Sequence, residues 1–269
     1  MRKIILFIVA LIFSMVTWPQ TGGAQQAAAR DPFMTKQSVF FEDGTLDEYT
    51  TYQWDPNFSR VDNEARYSAS GAMLEQVEFA YNEDRGVVTT KITRDVESRL
   101  KNRVVYQYNP QGLLWRESIV DNRGRGISTY EYGYDGRGNR TNRIIRNRGG
   151  DRLAETLYTF DTQNRMTTSE TRDMGNTVIS STRYSYDSQG NLTTQQVLNS
   201  EGRVTTNIRA VFQNGNEVRN EMVNADGEVL LLVTSEYGRD GEMTTRTVDN
   251  IQGQSKQVMR YEYTFRPRR

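Results

Sequence analysis

The sequence predicts an all-β protein: one long antiparallel meander of about eighteen strands, made of hairpin repeats of about 26 residues, coiled or shell-like. Three observations predict it. An aromatic-x-aromatic motif returns nine times, with its second aromatic at Trp54, Tyr81, Tyr108, Tyr134, Phe160, Tyr186, Phe212, Tyr237 and Tyr263, at intervals of 25 to 27 residues. Residues around each motif alternate in polarity, the period of a half-buried strand. Glycine or asparagine recurs about every thirteen residues, where a tight turn must reverse the chain.

The first segment does not belong to that meander. Arg2 and Lys3, the apolar run Ile4–Val16 and the small residues Gly22, Gly23 and Ala24 follow the plan of a secretory leader, with cleavage expected after Ala24. The run is shorter than the ~20 residues a spanning helix needs, and no cysteine stands near the cut to carry a lipid. Residues 1–24 are thus expected to be a signal peptide and 25–35 a flexible N-terminal segment. Residues 36–265 should form a single β-repeat domain, and 266–269 a C-terminal tail.

Within the domain, one unit is clearest at 181–199. Thr182, Tyr184 and Tyr186 fall on one face of an incoming strand, with Arg183 and Ser185 on the other. Asp187-Ser-Gln-Gly190 then provides a carboxylate for backbone amides and a residue that tolerates positive φ. An outgoing strand follows from about Leu192 to Asn199, and Asn199-Ser-Glu-Gly202 makes the next turn. Gly86, Gly112, Gly138, Gly190 and Gly241 mark the first turn of each unit, with Asn164 and Asn216 as substitutes. Gly44, Gly71, Gly124, Gly150, Gly175, Gly202, Gly227 and Gly253 mark the second.

The incoming strands carry the pairs Tyr106/Tyr108, Tyr132/Tyr134, Tyr158/Phe160, Tyr184/Tyr186 and Tyr261/Tyr263 on one face. Tyr106, Tyr132, Tyr158 and Tyr184 should therefore form a cross-strand aromatic row. Outgoing strands hold two further rows: Val88, Leu114, Met166, Leu192, Val218 and Met243, and, five residues on, Thr93, Ile119, Ile145, Thr171, Val197, Val223 and Val248. An odd offset implies either a bulge between the rows or burial on both faces of a coiled sheet. Burial on both faces is the expectation.

Tyr184-Ser-Tyr-Asp-Ser-Gln-Gly-Asn-Leu-Thr193, followed by Ser200-Glu-Gly-Arg-Val-Thr-Thr206, resembles the YD repeat of the Rhs and teneurin families, as does Tyr132-Gly-Tyr-Asp-Gly-Arg-Gly-Asn139. The other units depart from it, with Asn82, Asn109, Gln213 or Gly238 in place of the aspartate. The resemblance implies hairpins that spiral into a hollow β shell, which in bacterial members encloses a toxin domain. The family's self-cleaving region is not visible here, and no toxin activity is expected.

Composition narrows the chemistry. The chain has no histidine and no cysteine, and its 34 Lys+Arg balance 34 Asp+Glu. Without Arg2 and Lys3 the balance is 32 against 34, a net charge of −2 that argues against a nucleic-acid partner. Catalysis would have to rest on paired carboxylates. The obvious acids, Asp135, Asp161 and Asp187, recur at equivalent turn positions and read as turn formers; no catalytic residue, metal ligand or cofactor is assigned. The acceptor patterns starting at Asn139 and Asn191 likewise begin at turns. A membrane barrel is rejected because it needs a continuous apolar outer band, whereas Arg140, Arg143 and Arg146 charge both faces of one strand.

The least expected feature is a basic stretch. From Arg116 to Arg152 nine arginines face five acids, and Arg140 stands where six other units place an apolar residue. Arg137, Arg140, Arg143, Arg146 and Arg148 are the candidate ligand site, for an anionic envelope glycan or an envelope protein; the alternative is that Arg140 covers Tyr132 or Tyr134 with its methylenes. The expectation is an exported, periplasmic or extracellular, non-enzymatic scaffold or binding protein. The competing expectation is a polysaccharide-active enzyme.

Overall fold

The structure is a computed structural model and describes residues 30–267. Eighteen strands and the turns between them account for these residues. The first six strands are β1 (Arg30–Phe41), β2 (Leu46–Trp54), β3 (Val61–Ser68), β4 (Met73–Asn82), β5 (Val87–Arg94) and β6 (Leu100–Tyr108). Next come β7 (Leu114–Asp121), β8 (Gly126–Tyr134), β9 (Arg140–Asn147), β10 (Arg152–Phe160), β11 (Met166–Asp173) and β12 (Val178–Tyr186). The last six are β13 (Leu192–Asn199), β14 (Val204–Gln213), β15 (Asn216–Asn224), β16 (Val229–Tyr237), β17 (Met243–Asn250) and β18 (Ser255–Pro267). Every strand pairs antiparallel with its sequence neighbours, and β18 pairs antiparallel with β1 from Arg30↔Pro267 to Phe41↔Gln257. The sheet therefore closes on itself as an up-and-down barrel and has no free edge.

Closure departs from the spiral that the repeat resemblance implies. The reason lies at the ends of the chain. β1 begins at Arg30, inside the segment expected to be loose, and supplies the outgoing strand of a ninth hairpin whose incoming strand is β18. The last strand likewise runs to Pro267, into the expected tail. The leader expected at 1–24 lies outside the described residues.

The turns explain why the strands break where they do. At Asp187, Oδ1 accepts the amides of Gln189 and Asn191, each at 2.9 Å, and Oδ2 accepts the Asn191 side-chain amide at 2.8 Å. Gly190 follows with φ +88°, a conformation that costs a Cβ-bearing residue about 1 kcal/mol or more. Asp135 repeats the arrangement with Arg137 and Asn139. Three turns differ from expectation, one of them at 251–254, where Gln254 rather than Gly253 takes positive φ. In the turn of 213–216, Asn214 and Gly215 take positive φ rather than Asn216; in 174–177, Asn176 does so rather than Gly175. Asn tolerates left-handed backbone better than most residues, and in 174–177 the position three residues after the turn acceptor, Asp173 to Asn176 as Asn199 to Gly202, decides which residue takes it.

A bulge in each hairpin corrects the outgoing rows. Beside each second aromatic the register slips by one residue, so the aromatic pairs with the first residue of the outgoing strand (the second, Val88, in β5) and the next residue is extra. Tyr81 pairs with Val88 and Val77 with Thr93, so the bulge carries both rows onto the tyrosine face; the odd offset needs no burial on two faces. In β15 the loop is one residue shorter, and Glu217 and Met222, not Val218 and Val223, occupy those rows.

Register also sets the size of the barrel. A circuit along cross-strand partners advances two residues at each of the nine incoming strands (Thr50 to Tyr52, Val77 to Phe79, Val104 to Tyr106 and so on) and returns to Gln37. The shear is thus 18 residues for 18 strands. Equal strand number and shear give a tilt of about 36°, and ~4.8 Å between strands then makes the barrel roughly 33 Å across. No strand comes within 8 Å, between Cα atoms, of any strand except its two ladder neighbours. The barrel formed by the described residues is hollow.

Candidate ligand-binding belt

The tyrosine face is organised in three levels. Nearest the first turns lies the ring of second aromatics. Six of its tyrosines donate their hydroxyl to the carbonyl of the residue twenty positions earlier: Tyr81 to Val61 at 2.5 Å, Tyr108 to Val88 at 2.8 Å and Tyr134 to Leu114 at 2.6 Å. Tyr186 reaches Met166 at 2.8 Å, Tyr237 reaches Glu217 at 2.9 Å and Tyr263 reaches Met243 at 2.8 Å. Trp54 does the same with its indole N–H, to Met34 at 2.7 Å. Each accepting residue is the bulge partner of the preceding hairpin's aromatic, so the bonds tie every hairpin to the next, across the closure seam as well. Phe160 and Phe212 lack the hydroxyl.

The third level is largely apolar. It contains Val77, Val104, Ile119, Ile145, Ile208, Val233, Val248 and Met259, with Leu231, Val233, Val248 and Met259 forming a buried cluster.

Between these two levels runs a belt. Its outgoing-strand members are Gln37, Glu64, Lys91, Glu117, Arg143, Ser169, Gln195, Asn220 and Arg246, one from each hairpin and every one polar. Their direct partners on the incoming strands are Tyr261, Tyr52, Phe79, Tyr106, Tyr132, Tyr158, Tyr184, Ala210 and Ser235. Because the register circuit closes on these positions, the belt is level around the barrel. It alternates hydrogen-bonding groups with aromatic rings.

Several members already touch. The Tyr132 hydroxyl donates to Glu117 Oε1 at 2.8 Å, and the Tyr52 hydroxyl to Gln37 Oε1 at 3.3 Å. Ser169 Oγ and the Tyr184 hydroxyl lie 3.1 Å apart. Burial raises the phenols: Tyr52 and Tyr106 are pushed up to about 12, and Tyr132 rises further because Glu117 adds its charge to the effect of burial. Burial likewise raises the Glu64 carboxyl, against the pull of Lys91. These tyrosines are neutral donors at any ordinary pH.

The five candidate arginines do not form one cluster. Arg137 is exposed in the turn at one end of the barrel and Arg148 in the turn at the other. Arg146 points to the opposite face, where it pairs with Glu131 at 2.8 Å. Arg140 and Arg143 share the tyrosine face because the bulge falls between them. Arg140 lies with its guanidinium carbon 4.1 Å from the centre of the Tyr132 ring.

Sequence reasoning missed the belt, although it has a signal. Each member stands three residues after the bulge partner (Leu114 to Glu117, Arg140 to Arg143, Leu192 to Gln195), a spacing that alternation assigns to the wrong face unless the bulge is known. Asp135, Asp161 and Asp187 are engaged in their turns, through Asn139, Arg165 and Asn191 respectively. Among the described residues no three His, Cys, Asp or Glu gather into a metal-binding group.

No family model matches the chain, and no curated protein matches it. Among solved structures, a porin-like protein from Bacteroides uniformis is similar over 86% of this chain and 98% of its own, at 14% identity and a TM-score of 0.43. A porin-like protein from Bacteroides vulgatus is similar over 87% and 99%, at 13% identity and 0.36. The complex TcdB2-TccC3-Cdc42 is similar over 81% of this chain, at 12% identity and 0.36; this chain spans only 15% of that one. With every score below 0.5, these likenesses bear on neither ligand nor activity.

Neither face carries the continuous apolar band of a membrane barrel. The belt interrupts the tyrosine face, and Lys101, Arg103, Arg183, Arg209 and Arg260 stand exposed on the other. No helix among the described residues is long and apolar enough to cross a membrane.

Proposed function

We propose that the protein is an exported, non-enzymatic β-barrel that binds a glycan of the cell envelope along its belt, with the tyrosine face turned to the interior. The observation that carries this reading is the belt itself. Nine polar side chains alternate with seven aromatic ones on a single level of a hollow barrel. Rings and hydroxyl, amide and charged groups in alternation match a sugar chain, which offers flat apolar faces edged by hydroxyls. The assignment to the interior rests on exposure. On β12, Thr182, Tyr184 and Tyr186 are half-buried while Ile179, Arg183 and Ser185 are exposed, as expected where a concave wall crowds its side chains. Export rests on the leader-like plan of Arg2 to Ala24.

The belt does not suit the competing enzyme reading. Its two carboxylates, Glu64 on β3 and Glu117 on β7, are four strand spacings apart, roughly 19 Å, whereas glycoside hydrolysis needs its acids about 5–10 Å apart.

The test is a binding screen of the processed protein against envelope polysaccharides, with the double variant Tyr184→Ala, Gln195→Ala beside the parent. Binding by the parent that the variant loses, at an unchanged unfolding transition, supports the proposal. A parent that binds no glycan, or a variant that binds as the parent does, refutes it.

A further inference from the structure

On β9, two arginines of the tyrosine face each have a nitrogen that the fold leaves without a partner. Arg140 and Arg143 each bury a guanidinium Nε that makes no hydrogen bond, and neither forms an ion pair among the described residues. Arg143 donates one bond, from Nη2 to Thr156 Oγ1 at 3.4 Å. Arg140 lies over the ring of Tyr132. The neighbouring belt carboxylate, Glu117, is already engaged by the Tyr132 hydroxyl. A buried donor without an acceptor is costly to keep, and here two occur three residues apart on one strand, brought to one face by the bulge at Thr141.

With Nε buried, the outer edge of a guanidinium, Nη1 with Nη2, still matches the two oxygens of a carboxylate. We propose that Arg140 and Arg143 hold the carboxylate of a uronic-acid residue, whose pyranose ring lies against Tyr158 in the next hairpin of the belt. This rests on the reading of the belt as a glycan site and names the class of glycan. A sugar acid fits better than an acidic peptide because the surroundings continue in hydroxyl, amide and aromatic groups: Thr156, Ser169 and Gln195 with Tyr158 and Tyr184. Arg140 also departs from a position that is apolar in seven hairpins (Met34, Val61, Val88, Leu114, Met166, Leu192 and Met243), so the barrel wall itself does not ask for a cation there.

The test is calorimetric titration of the processed protein with oligogalacturonate, with an uncharged oligosaccharide of equal length, and with polyglutamate. Oligogalacturonate is expected to bind, more weakly as salt rises from about 0.05 to 0.5 M because the charges are screened. Arg143→Gln should weaken it at least about tenfold, and Arg140→Leu, which restores the apolar residue of the other hairpins, should do likewise without lowering the unfolding transition. Arg143→Lys should recover only part of the affinity, since an ammonium keeps the charge and loses the fork. Equal binding by Arg143→Gln and the parent overturns the proposal, as does equal or tighter binding of polyglutamate. If the uncharged sugar binds and the uronate does not, the arginine assignment falls and the belt reading stands; if no saccharide binds, both fall.

Discussion

Single hydroxyl groups hold neighbouring hairpins in register. Each tyrosine of the first level closes a bond to a carbonyl beside the preceding bulge, and such a bond to a half-buried acceptor contributes about 1 kcal/mol net. Tyr186→Phe should therefore lower stability by about that amount. The reverse change is more informative. Phe160 and Phe212 occupy the same level, and a hydroxyl there would face the carbonyls of Arg140 and Leu192, twenty residues earlier in each case. Phe160→Tyr and Phe212→Tyr should each stabilise the protein by about 1 kcal/mol, read as a higher midpoint in chemical denaturation. A lower midpoint for both would show that the bond is not what fixes the ring.

At the scale of the element, the hairpin is defined by its turn acid and its bulge. Asn139 and Asn191 hold Asp135 and Asp187 below the usual carboxylate range through side-chain bonds, helped by backbone amides, and Arg125 with its neighbours brings Asp121 to about 2. A carboxyl depressed in the folded state stabilises the fold fully above its unfolded pKa, near 3.9, and that contribution is lost as pH falls through the folded value. Stability should thus hold down to about pH 4 and decline between about 4 and 2. Glu64 and Glu217, raised by burial, act in the opposite sense, their cost being relieved as pH falls. Asn199 serves as the turn acceptor in its own hairpin, bonding the amides of Glu201 and Arg203 at 3.0 Å. The triple change Asp121→Asn, Asp135→Asn, Asp187→Asn should therefore keep the turns and flatten the acid limb of an unfolding-midpoint-against-pH plot. An unaltered limb would mean that other groups drive acid unfolding.

For the whole molecule, the consequence of closure is that the two faces of one strand meet different surroundings. The chain contains no cysteine, so single cysteines report cleanly. Gln195 lies on the belt and Gln196, its neighbour, on the opposite face. A small maleimide should label both Gln195→Cys and Gln196→Cys, while one carrying a large polymer should label Gln196→Cys far faster. Equal rates with the large reagent would mean that the sheet is open or that the tyrosine face looks outward. Stability should be distributed in the same way, since each strand contacts only its two neighbours and the hairpins form a ring of near-equivalent units.

The repeat, the number of strands, the antiparallel order and the shared phase of Tyr106, Tyr132, Tyr158 and Tyr184 were all legible in the sequence. They depend on short-range facts: a two-residue period, a turn acid, a glycine or asparagine at a left-handed position. Part of the proposed binding face was legible too, in the arginine at 140 that breaks an apolar series. Three things were decided only by the tertiary structure. The bulge beside each aromatic changes which side chains share a face, and it alone brings Arg143 beside Arg140 and gathers the polar belt. The pairing of β1 with β18 joins residues more than two hundred positions apart, beyond the reach of any local pattern. And whether nine hairpins spiral or close depends on the total shear, a sum over the whole circuit that no single repeat contains.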